Sequence, residues 1–183
     1  MSEPKSIYHS GATDGLVMGI YMAAAFLLQA TQIGKTSMLG LLSSAMVLAV
    51  PVLAYVLMAR SYRRQPGSRF FSTVWMHGIT IFICGGLILG AVQYIYTRFI
   101  APTFITDSAR LVAELYTSLD GAEYKQIGTA LTKVIDEGLL PSPIRFAFSM
   151  IWTVGFAGSL LSLLLTCIIK LFCHPKNTNQ EVS

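Results

Sequence analysis

Residues 70–97 read FFSTVWMHGITIFICGGLILGAVQYIYT, a stretch of 28 residues without a charged side chain. A helix rises about 1.5 Å per residue, so about 20 residues cross the roughly 30 Å of hydrocarbon in a bilayer. The stretch has no polar stripe at helical spacing that would let one face lie against water. It is therefore predicted to be a transmembrane helix.

Three further charge-free runs have 20, 24 and 24 residues and cover positions 15–34, 36–59 and 146–169. Backbone groups in lipid must be hydrogen-bonded within their own segment, and these runs do not alternate as barrel strands do, so helices are predicted throughout. Charged residues make up 12% of the chain, against about a quarter in soluble domains. The sequence predicts one all-α domain over residues 1–183, an integral membrane four-helix bundle with spans at about 12–33, 37–59, 70–97 and 143–170.

Two prolines mark features of these spans. Pro51 lies inside the second run, where its missing N–H and its ring disrupt helical hydrogen bonding, and it predicts a kink. Pro143 follows Ser142, an order typical of a first-turn proline after an N-cap residue. Pro143 is therefore predicted to start the fourth span.

Residues 98–142, between the third and fourth spans, are predicted to form an extracytoplasmic amphipathic helical insert. Asp120 and Glu123 predict a capping pair between two helices, and Gly138 predicts a stop. The insert is expected either to pack on itself or lie in the headgroup region, or to dock a membrane or periplasmic partner. Its apolar residues recur at helical spacing in two groups, Leu111, Val112, Leu115, Tyr116 and Leu119, then Tyr124, Ile127, Leu131, Val134 and Ile135.

The loop after the second span is basic. Segment 60–69 reads RSYRRQPGSR and carries no acid, whereas residues 98–145 hold six acids and five bases. Short loops rich in arginine face the cytoplasm, so the loop predicts a topology set by Arg60, Arg63, Arg64 and Arg69. Four spans place both termini on the side of this loop, in the cytoplasm. Beyond the last span, residues 174–183 are predicted to be a disordered tail.

Small residues recur every four positions on three of the spans. This spacing lets helix backbones approach closely in lipid, where packing drives association. It predicts close packing, either within one bundle or between two copies in a homo-oligomer. The residues are Gly11, Gly15, Gly19 and Ala23 on the first span, Gly86 and Gly90 on the third, and Gly155 with Ser159, or Gly158 with Ser162, on the fourth.

Ionisable residues inside the spans are candidates for function, because burying them in lipid is costly. Asp14 borders the small-residue seam of the first span, and His77 lies at a similar depth in the third. A contact between them would satisfy both groups and offer a route for a proton. The alternative is an interfacial aspartate and a histidine bonded to a backbone carbonyl. Gln29 and Gln93 are expected to be wetted near the outer surface.

The sequence carries no motif for catalysis or for a cofactor. It lacks a nucleophile elbow and paired histidine ligands, and no glutamate lies in the spans. The net charge of +4 comes without a contiguous basic face, which argues against nucleic acid as a partner. We therefore predict a non-enzymatic protein with no cofactor and no metal site, whose first partner is the lipid bilayer. The three cysteines show no metal spacing and are interpreted as structural, at Cys84, Cys167 and Cys173.

Three strings stand in a recognisable order, SYRRQPG at 61–67, FFSTVWMHGI at 70–79 and YIYTRFIAPTF at 94–104. Their order resembles the bacterial membrane-protein family of domain of unknown function 4199 (DUF4199). In that family an aromatic run is followed by a proline, where this chain has Tyr96, Phe99 and Pro102. The resemblance implies four spans, a basic loop after the second, an acidic helical insert before the fourth, and the bacterial inner membrane. The family has no established activity, so the resemblance implies no catalytic residue.

Two classes of function stay open at this point. The first is a non-enzymatic packing or docking component of the inner membrane, which the small-residue seams and the amphipathic insert favour. The second is a small transporter or channel, proton-coupled through Asp14 and His77. The spans are poor in polar residues, and a conduction path usually needs more lining groups, which argues against the second class.

Overall fold

The computed structural model describes residues 7–31, 38–64 and 70–172, and within these ranges the regular structure is helical with no strand. The prediction of an all-α helical bundle is therefore confirmed. The predicted tail at 174–183, Arg69 and Cys173 lie outside the described residues. The helices are α1 (Ile7–Ala30), α2 (Met38–Leu48), α3 (Val50–Arg64), α4 (Phe71–Ile95), α5 (Phe104–Ser118), α6 (Ala122–Asp136) and α7 (Pro143–Phe172), with a π-helical turn (Tyr96–Ile100) directly after α4.

Among the residues that the structure describes, four helical stretches are long and apolar enough to cross a membrane, at Ser10–Ala30, Gly40–Arg63, Phe71–Ile100 and Pro143–Phe172. Large apolar side chains cover their outer surfaces, including Leu87, Trp152 and Phe156. A continuous apolar exterior of this kind is stable in lipid and not in water, since water penalises large exposed apolar patches. The chain is a multi-pass membrane protein.

Helix α4 lies at the centre of the bundle, between α1 and α7. α1 runs parallel to it, because Gly11 lies next to Thr80 and Gly19 next to Ile88. α7 runs antiparallel, because Gly78 faces Ser162 while Gly90 faces Ile151. As a result α1 begins, α3 ends and α7 ends at one end of the bundle, called here the basic end. The opposite end carries α5 and α6 and is called the hairpin end.

The second span is broken at Ala49, between α2 and α3. Pro51 has no N–H to donate to the Val47 carbonyl oxygen, so one bond of the helical ladder is missing beside this interruption, while the Leu53 N–H still donates to the Ala49 carbonyl oxygen at 2.9 Å. The predicted kink stays a prediction. α2 packs mainly on α1, where the Tyr21 hydroxyl donates to the Met46 carbonyl oxygen at 2.8 Å. α3 instead reaches α1, α4 and α7. The break therefore separates α2 from the α4–α7 side of the bundle.

Between Ala49 and the basic end, the four spans share one apolar core. Met18 of α1, Met58 of α3 and Ile81 of α4 are fully buried there, together with Ile169 of α7. Each of these side chains comes from a different span, so the core fixes all four spans against one another. Fully burying one side chain of this size in an apolar core contributes about 1.5–3 kcal/mol relative to water.

Helices α5 and α6 form an antiparallel hairpin that packs on itself. They cross most closely at Gly128, where a Cβ atom would lie 2.9 Å from the Ala113 carbonyl oxygen. α6 begins after Gly121, whose φ of 143° suits glycine, and no side chain caps this N-terminus. The capping pair predicted at Asp120 and Glu123 is therefore wrong.

The end of α6 and the start of α7 lie where the sequence predicts them. α6 stops before Gly138, whose φ of 66° and whose N–H bond to the Ile135 carbonyl oxygen end the helix as predicted. α7 begins at Pro143, as predicted.

The hairpin is joined to the bundle by an aromatic cluster. Phe104 of α5 makes edge contacts with Phe26 and Tyr96, at centroid distances of 5.7 and 5.4 Å.

Candidate functional site

The seam between α1 and α4 is built on glycines. A Cβ atom on Gly15 would lie 2.6 Å from the Cys84 Cβ atom and 3.1 Å from the Ile81 carbonyl oxygen. A Cβ atom on Gly19 would lie 3.1 Å from the Gly85 Cα atom. Real Cβ atoms do not approach their neighbours this closely, so the two backbones touch only because these positions lack side chains. Ala23 continues the same face of α1 and is buried.

This close approach brings the predicted polar pair together. The Asp14 Oδ2 atom lies 3.1 Å from the His77 Nε2 atom. His77 is 4% exposed and Asp14 is 23% exposed. His77 is the sixth residue after the start of α4, which places the pair about 9 Å along the helix from the basic end. When Asp14 is ionised, Nε2 is the donor in this contact, because a carboxylate only accepts hydrogen bonds.

The other ring nitrogen of His77 faces the glycine seam. Nδ1 is buried and has no hydrogen-bond partner within the described residues. A Cβ atom on Gly11 would lie 3.3 Å from it, so Nδ1 points at the α1 backbone. The backbone-carbonyl contact considered as an alternative for His77 is therefore not formed in the described part of the chain. The contact with Asp14 orients the ring instead.

Hydroxyl groups near the pair bond to their own helices. The Ser162 hydroxyl donates to the Ser159 carbonyl oxygen at 2.9 Å, and the Thr166 hydroxyl donates to the Ser162 carbonyl oxygen at 2.7 Å. On α4 the Thr80 hydroxyl donates to the Met76 carbonyl oxygen at 2.9 Å. These bonds leave the local hydroxyls satisfied without His77. The Asp14–His77 pair therefore lies among hydroxyl groups that bond to their own helices.

The seam between α4 and α7 runs through Gly158 and Ser162, the second of the two spacings considered. A Cβ atom on Gly158 would overlap the Phe82 ring, and one on Gly78 would lie 2.5 Å from the Ser162 Cβ atom. Gly155 has nothing within 4 Å of the position of a Cβ atom, so its predicted packing role is wrong within this chain. Gly155 follows Val154, which does face α4, and one residue turns the helix by about 100°.

The remaining residues of the two seams occupy the following positions. Gly86 lies opposite Val154, and Gly90 lies opposite Ile151. Ser159 contributes its carbonyl oxygen, which accepts a hydrogen bond from the Trp75 indole N–H at 3.3 Å. α4 thus contacts α7 through backbone carbonyls and small residues along most of its length.

Two of the arginines predicted to set the topology, Arg60 and Arg63, lie at the basic end. Arg60 and Arg63 are exposed in the last turns of α3, which ends at Arg64. At the same end the Lys170 ammonium lies 5.8 Å from the centre of the Phe71 ring. Their role in orienting the chain stays a prediction.

The described cysteines and acids show no metal site. Cys84 packs against Gly15, and Cys167 is exposed. Across residues 7–31, 38–64 and 70–172, no three His, Cys, Asp or Glu side chains lie close enough together to hold an ion.

Gln93 lies elsewhere than the sequence predicted. It is 3% exposed, not wetted, whereas Gln29 is exposed as expected. Gln93 and Thr97 continue the inward face of Gly86 and Gly90 at helical spacing, and this pattern is the signal that would have placed Gln93 inside. Together with Ser108 of α5, Gln93 lines a cavity at the hairpin end.

No curated protein and no solved structure matches the chain. The family described as protein of unknown function (DUF4199) matches residues 13–170, which include the second and third spans, the hairpin and nearly all of the first and fourth spans. The match covers most of the chain, and the chain therefore belongs to the DUF4199 family.

Proposed function

We propose that the chain is a non-enzymatic protein of the bacterial inner membrane, with both termini in the cytoplasm, that docks a partner on its α5–α6 hairpin. The observation that carries the proposal is the exposed apolar surface of this hairpin. Leu115 is 59% exposed and Ile127 is 44% exposed, although both lie on amphipathic helices outside the candidate spans. By contrast, the small-residue seams of the bundle are already filled by contacts within the chain.

The charge of the hairpin favours a protein over the lipid surface as its partner. Residues 104–137 carry six acids and only three bases, Arg110, Lys125 and Lys133. Helices that lie on membranes usually carry lysine and arginine on the polar face, and anionic headgroups repel an acidic one. A partner with a basic segment beside an apolar residue would complement this surface. The acids are Asp107, Glu114, Asp120, Glu123, Asp136 and Glu137.

The proposed orientation rests on the difference in charge between the basic end and the acidic hairpin. Arg60 and Arg63 at the basic end support a cytoplasmic position for that end, since short arginine-rich segments are retained in the cytoplasm. The hairpin then faces the extracytoplasmic side. The variant Ala130→Cys, with Cys84, Cys167 and Cys173 replaced by serine, tests this, because Ala130 is exposed on α6. Labelling by an impermeant maleimide in intact cells supports the orientation, and labelling only after lysis contradicts it.

Docking is tested by purification from native membranes in mild detergent. We expect a stoichiometric partner that is released by high salt and lost from the double variant Leu115→Ser, Ile127→Ser. Leu139→Ser is the matched control, because Leu139 is equally exposed but follows α6. Partner retention in both variants, or a monomeric chain with no co-purifying protein, contradicts the proposal.

The second candidate function is a proton-coupled transporter or channel. The specific observation in its favour is the 3.1 Å contact between Asp14 and His77. It predicts proton flux in proteoliposomes that is lost in His77→Gln, which still forms hydrogen bonds but does not titrate. Flux that is absent in the parent protein, or unchanged in the variant, contradicts this candidate. The satisfied hydroxyls around the pair make it the weaker of the two.

A further inference from the structure

A cavity of about 750 Å³ lies at the hairpin end, enclosed by α1, α2, α3, α4, the start of α7 and the hairpin. Its volume is within the range of small-molecule binding sites, about 300–1,000 Å³. Among the described residues its lining contains no charged side chain, and its polar lining side chains are Gln29, Gln93 and Ser108. The cavity is separate from the exposed hairpin residues on which the proposed docking depends.

The interruption of the second span lies beside the cavity. Val47 and Val50 stand on either side of Ala49, and both line the cavity. α2 packs mainly on α1, whereas α3 packs on α1, α4 and α7, so the cavity lies where the second span makes little contact with the central helix. Ile105 and Val112 of α5 close this space from the hairpin side. Val47 and Val112 are also partly exposed, so the cavity reaches the outer surface of the bundle.

Two buried polar atoms in this apolar lining have no hydrogen-bond partner within the described residues. They are the Gln93 Oε1 atom on α4 and the Ser108 Oγ atom on α5. Buried polar groups in proteins are nearly always hydrogen-bonded, and an unpaired one is a mark of a missing partner. The carbonyl oxygen of an amide side chain accepts, and a serine hydroxyl both donates and accepts.

We propose that the cavity binds one uncharged single-chain lipid that carries a hydroxyl group on its head. Its acyl chain would lie against the apolar lining near Val47, Val50 and Leu89. Its hydroxyl would donate to the Gln93 Oε1 atom and accept from the Ser108 hydroxyl, which satisfies both buried atoms. The head is uncharged because the lining offers no counter-charge, and a buried ion without one is strongly disfavoured.

The test uses delipidated full-length protein in detergent micelles, titrated with monoolein and read by native mass spectrometry. We expect one monoolein per chain, with affinity lowered about tenfold in Gln93→Leu by loss of one hydrogen bond. Ala109→Trp fills the cavity from the hairpin side and should abolish binding. Leu87→Trp is the matched control, since Leu87 faces outward on α4 and does not line the cavity.

Two further measurements keep the proposal falsifiable. If Ala109→Trp does not elute as a folded monodisperse species, Val112→Trp takes its place, because Val112 lines the same cavity and is partly exposed. Methyl oleate, which keeps the oleoyl ester of monoolein but has no hydroxyl, should bind more weakly than monoolein. Equal binding in the filled-cavity variant and the control, equal binding of methyl oleate, or tighter binding of ionised oleate overturns the proposal.

Discussion

The replacement Gly15→Ala tests whether the α1–α4 seam holds the bundle together. The added Cβ atom would lie 2.6 Å from the Cys84 Cβ atom and 3.1 Å from the Ile81 carbonyl oxygen. Carbon atoms pack at about 3.5–4.0 Å, so the gap falls short by about 1 Å. Neither neighbour is the end of a flexible side chain, and the backbones must therefore separate.

The expected cost follows from this separation. Overpacking of a close-packed interior costs about 1–3 kcal/mol. Asp14 is adjacent to Gly15, so a shift of α1 also lengthens the 3.1 Å contact with His77. A hydrogen bond to a charged group contributes about 1.5–3 kcal/mol, and we expect a total loss of about 2–4 kcal/mol in the free energy of unfolding.

The assay is unfolding of purified protein in mixed detergent–SDS micelles, followed by far-ultraviolet circular dichroism. Gly155→Ala is the matched control: nothing lies within 4 Å of its Cβ position, and alanine favours a helix over glycine by about 1 kcal/mol. Cys84→Gly should partly restore stability when combined with Gly15→Ala, because it removes the clashing Cβ atom. Equal stability of the two alanine variants would refute the assignment of the seam.

Three further predictions concern other parts of the molecule. Asp14→Ala should lower the free energy of unfolding by about 1–3 kcal/mol, because it leaves the buried Nε2 atom of His77 without an acceptor. The double variant Asp14→Ala, His77→Phe should recover part of this loss, and additive effects of the two changes in the same unfolding assay would contradict the contact. Pro51→Ala should restore a helical hydrogen bond to the Val47 carbonyl oxygen at the interruption and reduce monoolein binding, and unchanged binding would show that the cavity does not depend on Pro51. Gly128→Val should separate α5 from α6, because a side chain at this position meets Thr117 and the Ala113 carbonyl oxygen. Limited proteolysis should then cleave the hairpin faster than in the control Ala130→Val, whose residue is exposed, and equal cleavage would argue against the close crossing.

The sequence was sufficient for the spans, because lipid imposes a length and a polarity that can be counted along the chain. Pro51 predicts the interruption between α2 and α3, and Pro143 predicts the start of α7, because the ring and the missing N–H of proline act on the backbone directly. Gly138 behaved likewise, since a positive φ is a local property that glycine accepts. Features of this kind depend on one residue and its immediate neighbours, and they were predictable.

Features that depend on the facing helix were harder to predict. The repeats at Gly155 and at Gly158 look alike in the sequence, and only the position of Phe82 on α4 decides which one packs. Gln93 is predicted to be wetted from its position near the outer end of the third span, although its spacing from Gly90 places it on the buried face. The cavity cannot be predicted from the sequence, because its lining comes from all four spans and the hairpin, which lie far apart along the chain.

The central position of α4 has a consequence for biosynthesis. The membrane receives the spans in order, and α1 arrives well before the helix against which its glycine face packs. Until residue 77 has emerged from the ribosome, Asp14 cannot form its contact with His77, and α2 is the neighbour of α1 that is already in place. A nascent chain stalled before the third span should therefore be held by insertion factors or degraded, whereas one stalled after residue 100 already contains the complete α1–α4 pair.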